Sequence, residues 1–266
     1  MTLALIAGRG SLPAAVVAAC PNRPLVCALR GFDPDGLTPD LIFHIERLVP
    51  FLDHLTDHGI TNVVFAGAVQ RPRLDPALFD AATAQLVPRL LAAMQNGDDA
   101  TLRAVITLFE DAGLAVQGIA DIAPGLLPGP GLLAGTLTEA DQSDATRAAA
   151  IVAALGAVDV GQGAVVAHGL CLAVEALPGT DAMLSALTGL PPALRPDKGR
   201  GLLYKAAKPG QDLRIDLPTL GPETLRVAAQ AGLAGVAFQS GQVICLDLPQ
   251  MQATAERLGL FLWSRP

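Results

Sequence analysis

Charge is scarce in this chain: only 16% of its 266 residues are Asp, Glu, Lys or Arg, against 51% hydrophobic residues. So little charge beside so much apolar surface argues against disorder and for a soluble protein with a large core, in one large domain or two small ones. Basic residues are also outnumbered, 18 against 25 acids, which gives a net charge of −7 and a pI near 5.0. Binding along a phosphate backbone needs a basic excess over a broad face, so no nucleic acid is expected as the main partner. Long apolar runs are missing too. None reaches the roughly 18 residues of a spanning helix, so no transmembrane segment is expected. The N-terminal MTLALIAGRGSLPAAVVAAC lacks a basic leader and is broken at Gly8-Arg9-Gly10, so it reads as a first strand and helix and not as a signal peptide. Cys20, Cys27, Cys171 and Cys245 never form C-x-x-C, so neither a zinc site nor a disulfide framework is indicated, and core thiols in a reducing cytoplasm are the simplest reading. His54 and His58 have helical spacing without the Glu of a zinc-binding H-E-x-x-H.

What is present alternates. Leu3 to Ala7 is an apolar run closed by a glycine turn, and Ser11 then opens a helix with Pro13 in its first turn. Pro24 to Leu29 and Val63 to Ala66 read as further strands, with a helix over Phe51 to His58 between them. Two Ala- and Leu-rich helices fill 75–108, the second starting near Asp98. Strands alternating with helices predict a parallel sheet covered on both faces. Asp121 to Gly135 is so rich in Pro and Gly that regular structure is not expected there, and it is the natural joint. The fold class is therefore α/β. We expect two α/β domains, 1–130 Rossmann-like and 131–266 carrying an acidic and basic cluster, with a substrate cleft between them. In the second half, Thr138 followed by Asp141 predicts a capped helix to Leu155. Strands follow at 164–167, 170–176, 202–206, 235–238 and 242–246, and helices at 181–187, 222–231 and 249–258.

The cluster spans Lys205 to Gly221, KAAKPGQDLRIDLPTLG. Asp212, Arg214 and Asp216 sit at i, i+2 and i+4, so an extended backbone would project them from one face. Two carboxylates flanking a guanidinium suit a divalent cation held beside an anionic substrate. For a lone D-x-R-x-D a solvated, salt-bridged edge strand is the simpler reading, because short charge patterns recur by chance. Gly8-Arg9-Gly10-Ser11 lies between strand and helix, where backbone N–H groups attract anions. Because it lacks the third glycine of G-x-G-x-x-G, it does not read as a nicotinamide or flavin site. Gly67 and Arg71 in AGAVQRP follow a strand and so emerge where open α/β sheets place ligands. Asp98 and Asp99 read first as a helix cap. Gln162 in a glycine turn, Glu175, and Thr180-Asp181 at a helix start complete the pattern of turns, acids and bases at strand ends.

IAGRGSLP (6–13), AGAVQRP (66–72), GDDATLR (97–103), DVGQGAVV (159–166), AVEALPGTDAML (173–184) and KPGQDLRIDLPTLG (208–221) together resemble the UDP-2,3-diacylglucosamine pyrophosphatases of the LpxI type over essentially the whole chain. Pro178 departs from the Glu usual in that family. The resemblance implies a cytoplasmic, two-domain enzyme of lipid A synthesis that hydrolyses UDP-2,3-diacylglucosamine to UMP and 2,3-diacylglucosamine 1-phosphate, with Mg2+ or another divalent cation. It implies that the essential acid is Asp216, as metal ligand or base, with Asp212 in support. Lys205, Lys208 and Arg214 would offset phosphate charge, and Gly8, Gly10 and Ser11 would take a phosphate or the uridine end. Gly67, Arg71, Gln162, Glu175, Thr180 and Asp181 complete the expected substrate-binding set. The amphiphilic substrate suggests peripheral contact with the inner membrane, and the apolar composition suggests a homodimer. A transferase acting on a nucleotide sugar and a non-catalytic nucleotide- or lipid-binding module are the competing readings.

Overall fold

A computed structural model describes residues 2–70, 74–95, 98–191 and 200–266, with the backbone alone at 98 and 99. The chain divides into two compact units, Met1–Pro124 with Asp212–Asp216, and Gly125–Gln211 with Leu217–Pro266. In the first unit the order is β1 (Leu3–Ala7), α1 (Leu12–Ala19), β2 (Leu25–Leu29), β3 (Leu41–Phe43), α2 (Leu48–Asp57), β4 (Asn62–Ala66), α3 (Ala81–Gln95), α4 (Asp98–Asp111), β5 (Ala115–Gln117) and α5 (Ile119–Ile122). The strands form a parallel sheet ordered β3-β2-β1-β4-β5. β1 and β4 are apolar nearly throughout, LALIA and NVVFA, as strands covered on both faces must be. α2 shows the complementary period: Leu48, Phe51, Leu52 and Leu55 are buried at i, i+3, i+4 and i+7, and Asp53, His54 and Asp57 face water. Phe51 stacks on Phe43 with ring centroids 4.0 Å apart. β3 and β5, both short edge strands, were not expected from the sequence.

The second unit runs β6 (Gly131–Ala134), α6 (Glu139–Gly156), β7 (Gly163–Ala167), β8 (Leu170–Val174), α7 (Thr180–Thr188), β9 (Leu202–Lys205), β10 (Thr219–Leu220), α8 (Pro222–Gln230), β11 (Gly235–Gln239), β12 (Ile244–Cys245), α9 (Leu248–Leu258) and β13 (Phe261–Arg265). Its main sheet is mixed, ordered β6-β13-β11-β9-β7-β8, with β9, β11 and β13 parallel and β6, β7 and β8 joining antiparallel. The two-residue strand period sorts its core. Val165, Leu203, Val236, Phe238 and Leu262 face α7, α8 and α9, while Ala164, Val166, Leu202, Tyr204 and Ala237 face α6. Each fully buried leucine, such as Leu203 or Leu225, stabilises this unit by about 1.5–3 kcal/mol. The capping box expected at Thr138 is present: Asp141 N–H donates to Thr138 Oγ1, and Asp141 Oδ2 accepts from Thr138 N–H at 2.9 Å. Among the described residues no helix is long and apolar enough to cross a membrane.

Candidate active site

β1 and β4 are central neighbours at the point where strand order reverses, which is where open α/β sheets offer a ligand crevice at their C-terminal ends. Gly8, Gly10, Ser11 and Gly67 all lie there, and the structure gives two of the glycines a steric reason. Arg9 and Ala68 exchange backbone hydrogen bonds of 2.9 Å each way, and Gly8 N–H donates to Ala66 O at 2.8 Å. A Cβ on Gly8 would stand 2.7 Å from Ala68 O, and one on Gly67, whose φ is +95°, would stand 2.7 Å from the Gly8 backbone. The two loops therefore zip together only because both residues lack side chains. Ser11 makes no side-chain cap on α1. Arg9 donates to Gly31 O at 2.7 Å and lies over the Phe32 ring. Arg71 lies outside the described residues.

Residues 212–216 belong to the same unit, and their backbone corrects the expected extended strand. Ile215 N–H and Asp216 N–H both point back to Asp212 O, at 3.3 and 3.4 Å, so the segment is a turn. The cause is local. Asp212 accepts Arg214 N–H at 3.0 Å with its own side chain, a capture that Asp makes readily and that competes with a strand. Asp212, Arg214 and Asp216 consequently do not alternate on one strand face. The Arg214 guanidinium instead folds onto Asp212, with Nε donating to Oδ1 at 3.0 Å and Nη2 to Oδ2 at 2.7 Å, and its Nη1 donates to Glu110 Oε1 on α4 at 2.8 Å. These bonds hold the Asp212 carboxyl below the usual carboxylate range and raise Arg214 further above its own. Arg103 of α4 adds a smaller field in the same direction at Asp212. Ile215 packs on the core of the first unit, and Asp216 is half-buried beside it in sequence.

In the second unit the structure brings Glu175, Thr180 and Lys205 together. Lys205 ends β9 and is only 6% exposed. Its Nζ donates to Thr180 Oγ1 at 2.6 Å, the Thr180 hydroxyl donates to Glu175 Oε1 at 3.0 Å, and Lys205 Nζ lies 3.7 Å from that same oxygen. Lys205 also reaches Thr219 O at 3.5 Å. Glu175 Oε2 is buried with no hydrogen-bond partner among the described residues. The glycines of DVGQGAVV make room for this side chain: a Cβ on Gly161 would lie 2.0 Å from Glu175 O, and one on Gly163 2.6 Å from Glu175 Oε2. Gly161 and Gly163 thus form the seat of Glu175. Between them Gln162 donates to Gln211 Oε1 at 2.9 Å, the oxygen that also accepts Lys208 N–H at 3.0 Å. Lys208 Nζ pairs with Asp159. Asp181 is exposed in the first turn of α7. Glu110 was not anticipated, since its partner Arg214 lies 104 residues away, and Gln211, though inside the 205–221 cluster, was given no role.

The residues near Asp216 can be weighed against the needs of a divalent cation. Among the described residues no three His, Cys, Asp or Glu side chains gather as a ligand set. Both Asp212 oxygens already accept from Arg214. Magnesium, however, characteristically takes one or two carboxylates and completes its shell with water and substrate phosphates. Asp216 is the carboxylate that could hold such a cation together with substrate phosphates.

Both halves of the chain match domains of one family. Residues 2–126 match the LpxI N-terminal domain and residues 130–263 the LpxI C-terminal domain, so the chain belongs to the LpxI family. A curated relative from Caulobacter vibrioides, named UDP-2,3-diacylglucosamine pyrophosphatase LpxI, is 38% identical over 215 residues, covering 77% of this chain and 76% of the relative.

Proposed function

We propose that the protein hydrolyses the pyrophosphate bond of UDP-2,3-diacylglucosamine, yielding UMP and 2,3-diacylglucosamine 1-phosphate in lipid A synthesis. The reading is carried by the match of both halves to the two domains of a single family, together with the activity in the Caulobacter relative's name. The sequence pattern and the turn at 212–216 supply its chemistry. In the reaction a water oxygen bonds to one phosphorus, the bridging P–O bond breaks, and the water's proton leaves. Asp216 is the carboxylate assigned to this step, as base for that proton or as the ligand of a divalent cation, with magnesium the first candidate. Such a cation, when bound, neutralises charge on the phosphoryl oxygens. Asp212 acts by bracing Arg214, a supporting role that its bonds to the guanidinium favour over direct ligation. The glycine turns at 8–10 and 67 offer backbone N–H groups to phosphate or uridine. Cytoplasmic location, peripheral membrane contact and a homodimer belong to the same proposal.

The test is UMP release from UDP-2,3-diacylglucosamine by the purified chain with no acceptor added. Release that stops with EDTA and returns with magnesium supports the hydrolase and its cation. Release that requires an acceptor would identify a transferase, and binding without release a non-catalytic module.

A further inference from the structure

We propose that Glu110 is a positioning residue: gripping Arg214 from the outside, it fixes the Asp212–Asp216 turn, and with it the Asp216 carboxylate, on the first unit. The inference rests on the reading of Asp216 as the reaction's acid. Both covalent neighbours of the segment, Gln211 and Leu217, belong to the second unit, so chain connectivity within the first unit does not hold these five residues there. Contacts with the first unit do, among them Ile215 packing against that unit's core and the bond from Arg214 Nη1 to Glu110 Oε1 at 2.8 Å.

The guanidinium makes the contact with Glu110 directional. Nε and Nη2 are clamped to Asp212 within the turn, so the planar group is a rigid extension of that turn, and Nη1 projects from it toward α4. Beside the apolar contact of Ile215, Glu110 adds a directional, hydrogen-bonded anchor from a helix. Because Arg214 and Glu110 side chains remain 41% and 42% exposed, breaking the bond leaves the core intact and salt weakens it. Placement matters to the chemistry, since a shift of about 1 Å in a reacting group costs up to about 100-fold in rate.

The experiment compares wild type, Glu110→Gln, Arg214→Lys and Asp216→Ala by steady-state UMP release, thermal melting and hydrogen exchange. Glu110→Gln is expected to lower kcat about 10-fold with KM held within about two-fold, the split that marks lost positioning. Its melting temperature stays at the wild-type value, and exchange rises in the peptide covering 212–217 but not in β1 or β4. Wild-type kcat falls as KCl is raised from about 50 to 500 mM, and that dependence is lost in Glu110→Gln. Arg214→Lys reproduces the defect, because an ammonium cannot hold Asp212 and Glu110 at once with the same fork. Wild-type kcat and wild-type exchange in Glu110→Gln overturn the proposal, as do parallel losses of kcat, KM and melting temperature. If Asp216→Ala keeps full turnover, or the wild type releases no UMP, the functional reading fails instead, and exchange at 212–217 still decides whether Glu110 holds the turn.

Discussion

Lys205 and Arg214 are both cations set among oxygens, yet their surroundings assign them opposite work. Lys205 is 6% exposed, ends a central strand and shares its ammonium with Thr180, Glu175 and Thr219. Arg214 lies 41% exposed on a turn and joins Asp212 to Glu110. A buried pair contributes little relative to a well-packed apolar replacement but is costly to break from one side, about 3–5 kcal/mol, because the remaining charge is stranded. An exposed pair is worth about 0–1 kcal/mol. Removing one partner is therefore costly at Lys205 and cheap at Arg214. Both were expected to offset phosphate charge, and they differ in burial.

The comparison is broken most forcefully at Lys205. Lys205→Met should lower the unfolding free energy of the second unit by about 3–5 kcal/mol, read from urea unfolding followed at Trp263, the one tryptophan of the chain. Adding Glu175→Gln to that variant should restore part of the loss, since no stranded carboxylate remains; an additive further loss would show that the two groups do not interact. Next in size is the seat of Glu175. Gly161→Ala meets the Glu175 backbone oxygen, which cannot turn aside, whereas Gly163→Ala meets the movable end of the side chain. Overpacking at Gly161 is expected to cost about 1–3 kcal/mol and Gly163→Ala less, with Trp263 fluorescence again the readout. Equal costs would mean that Glu175 is as rigid at its tip as at its backbone.

The smallest effect sharpens the other side. Asp212 titrates below its ordinary range in the folded turn, so its contribution to holding the turn is complete above about pH 4 and disappears as pH falls through the depressed value. The amides of Ile215 and Asp216 should exchange faster in Asp212→Asn than in wild type, by a constant ratio from pH 5 to 8 that shrinks toward one below about pH 4. A ratio that changes instead near neutrality would point to a different group.

Much of the α/β alternation was legible because strands such as LALIA and GAVVA carry their burial in composition, and α2 carries its own period. What escaped was made by long-range pairing. β6 lies inside the Pro- and Gly-rich 121–135 stretch and becomes a strand only by pairing antiparallel with β13, which itself begins just past the left-handed Gly259. The candidate site was half visible. Glu175, Thr180 and Lys205 stand out by residue type at strand ends and do meet, but spacing does not reveal their burial. The D-x-R-x-D pattern suggested a strand because period-two reasoning omits the side-chain capture by which Asp212 folds the chain back. The reading of the cysteines as core thiols holds for Cys27 and Cys245, whose thiols burial pushes up to about 12, but not for Cys171, which is exposed, and Cys20 is half-buried.

The measurement closest to the central claim is UMP release from UDP-2,3-diacylglucosamine by Asp216→Ala, with substrate binding to the same preparation followed by equilibrium dialysis. The account predicts turnover reduced by about 100- to 10,000-fold while binding persists. Turnover near the wild-type rate in that variant would contradict it.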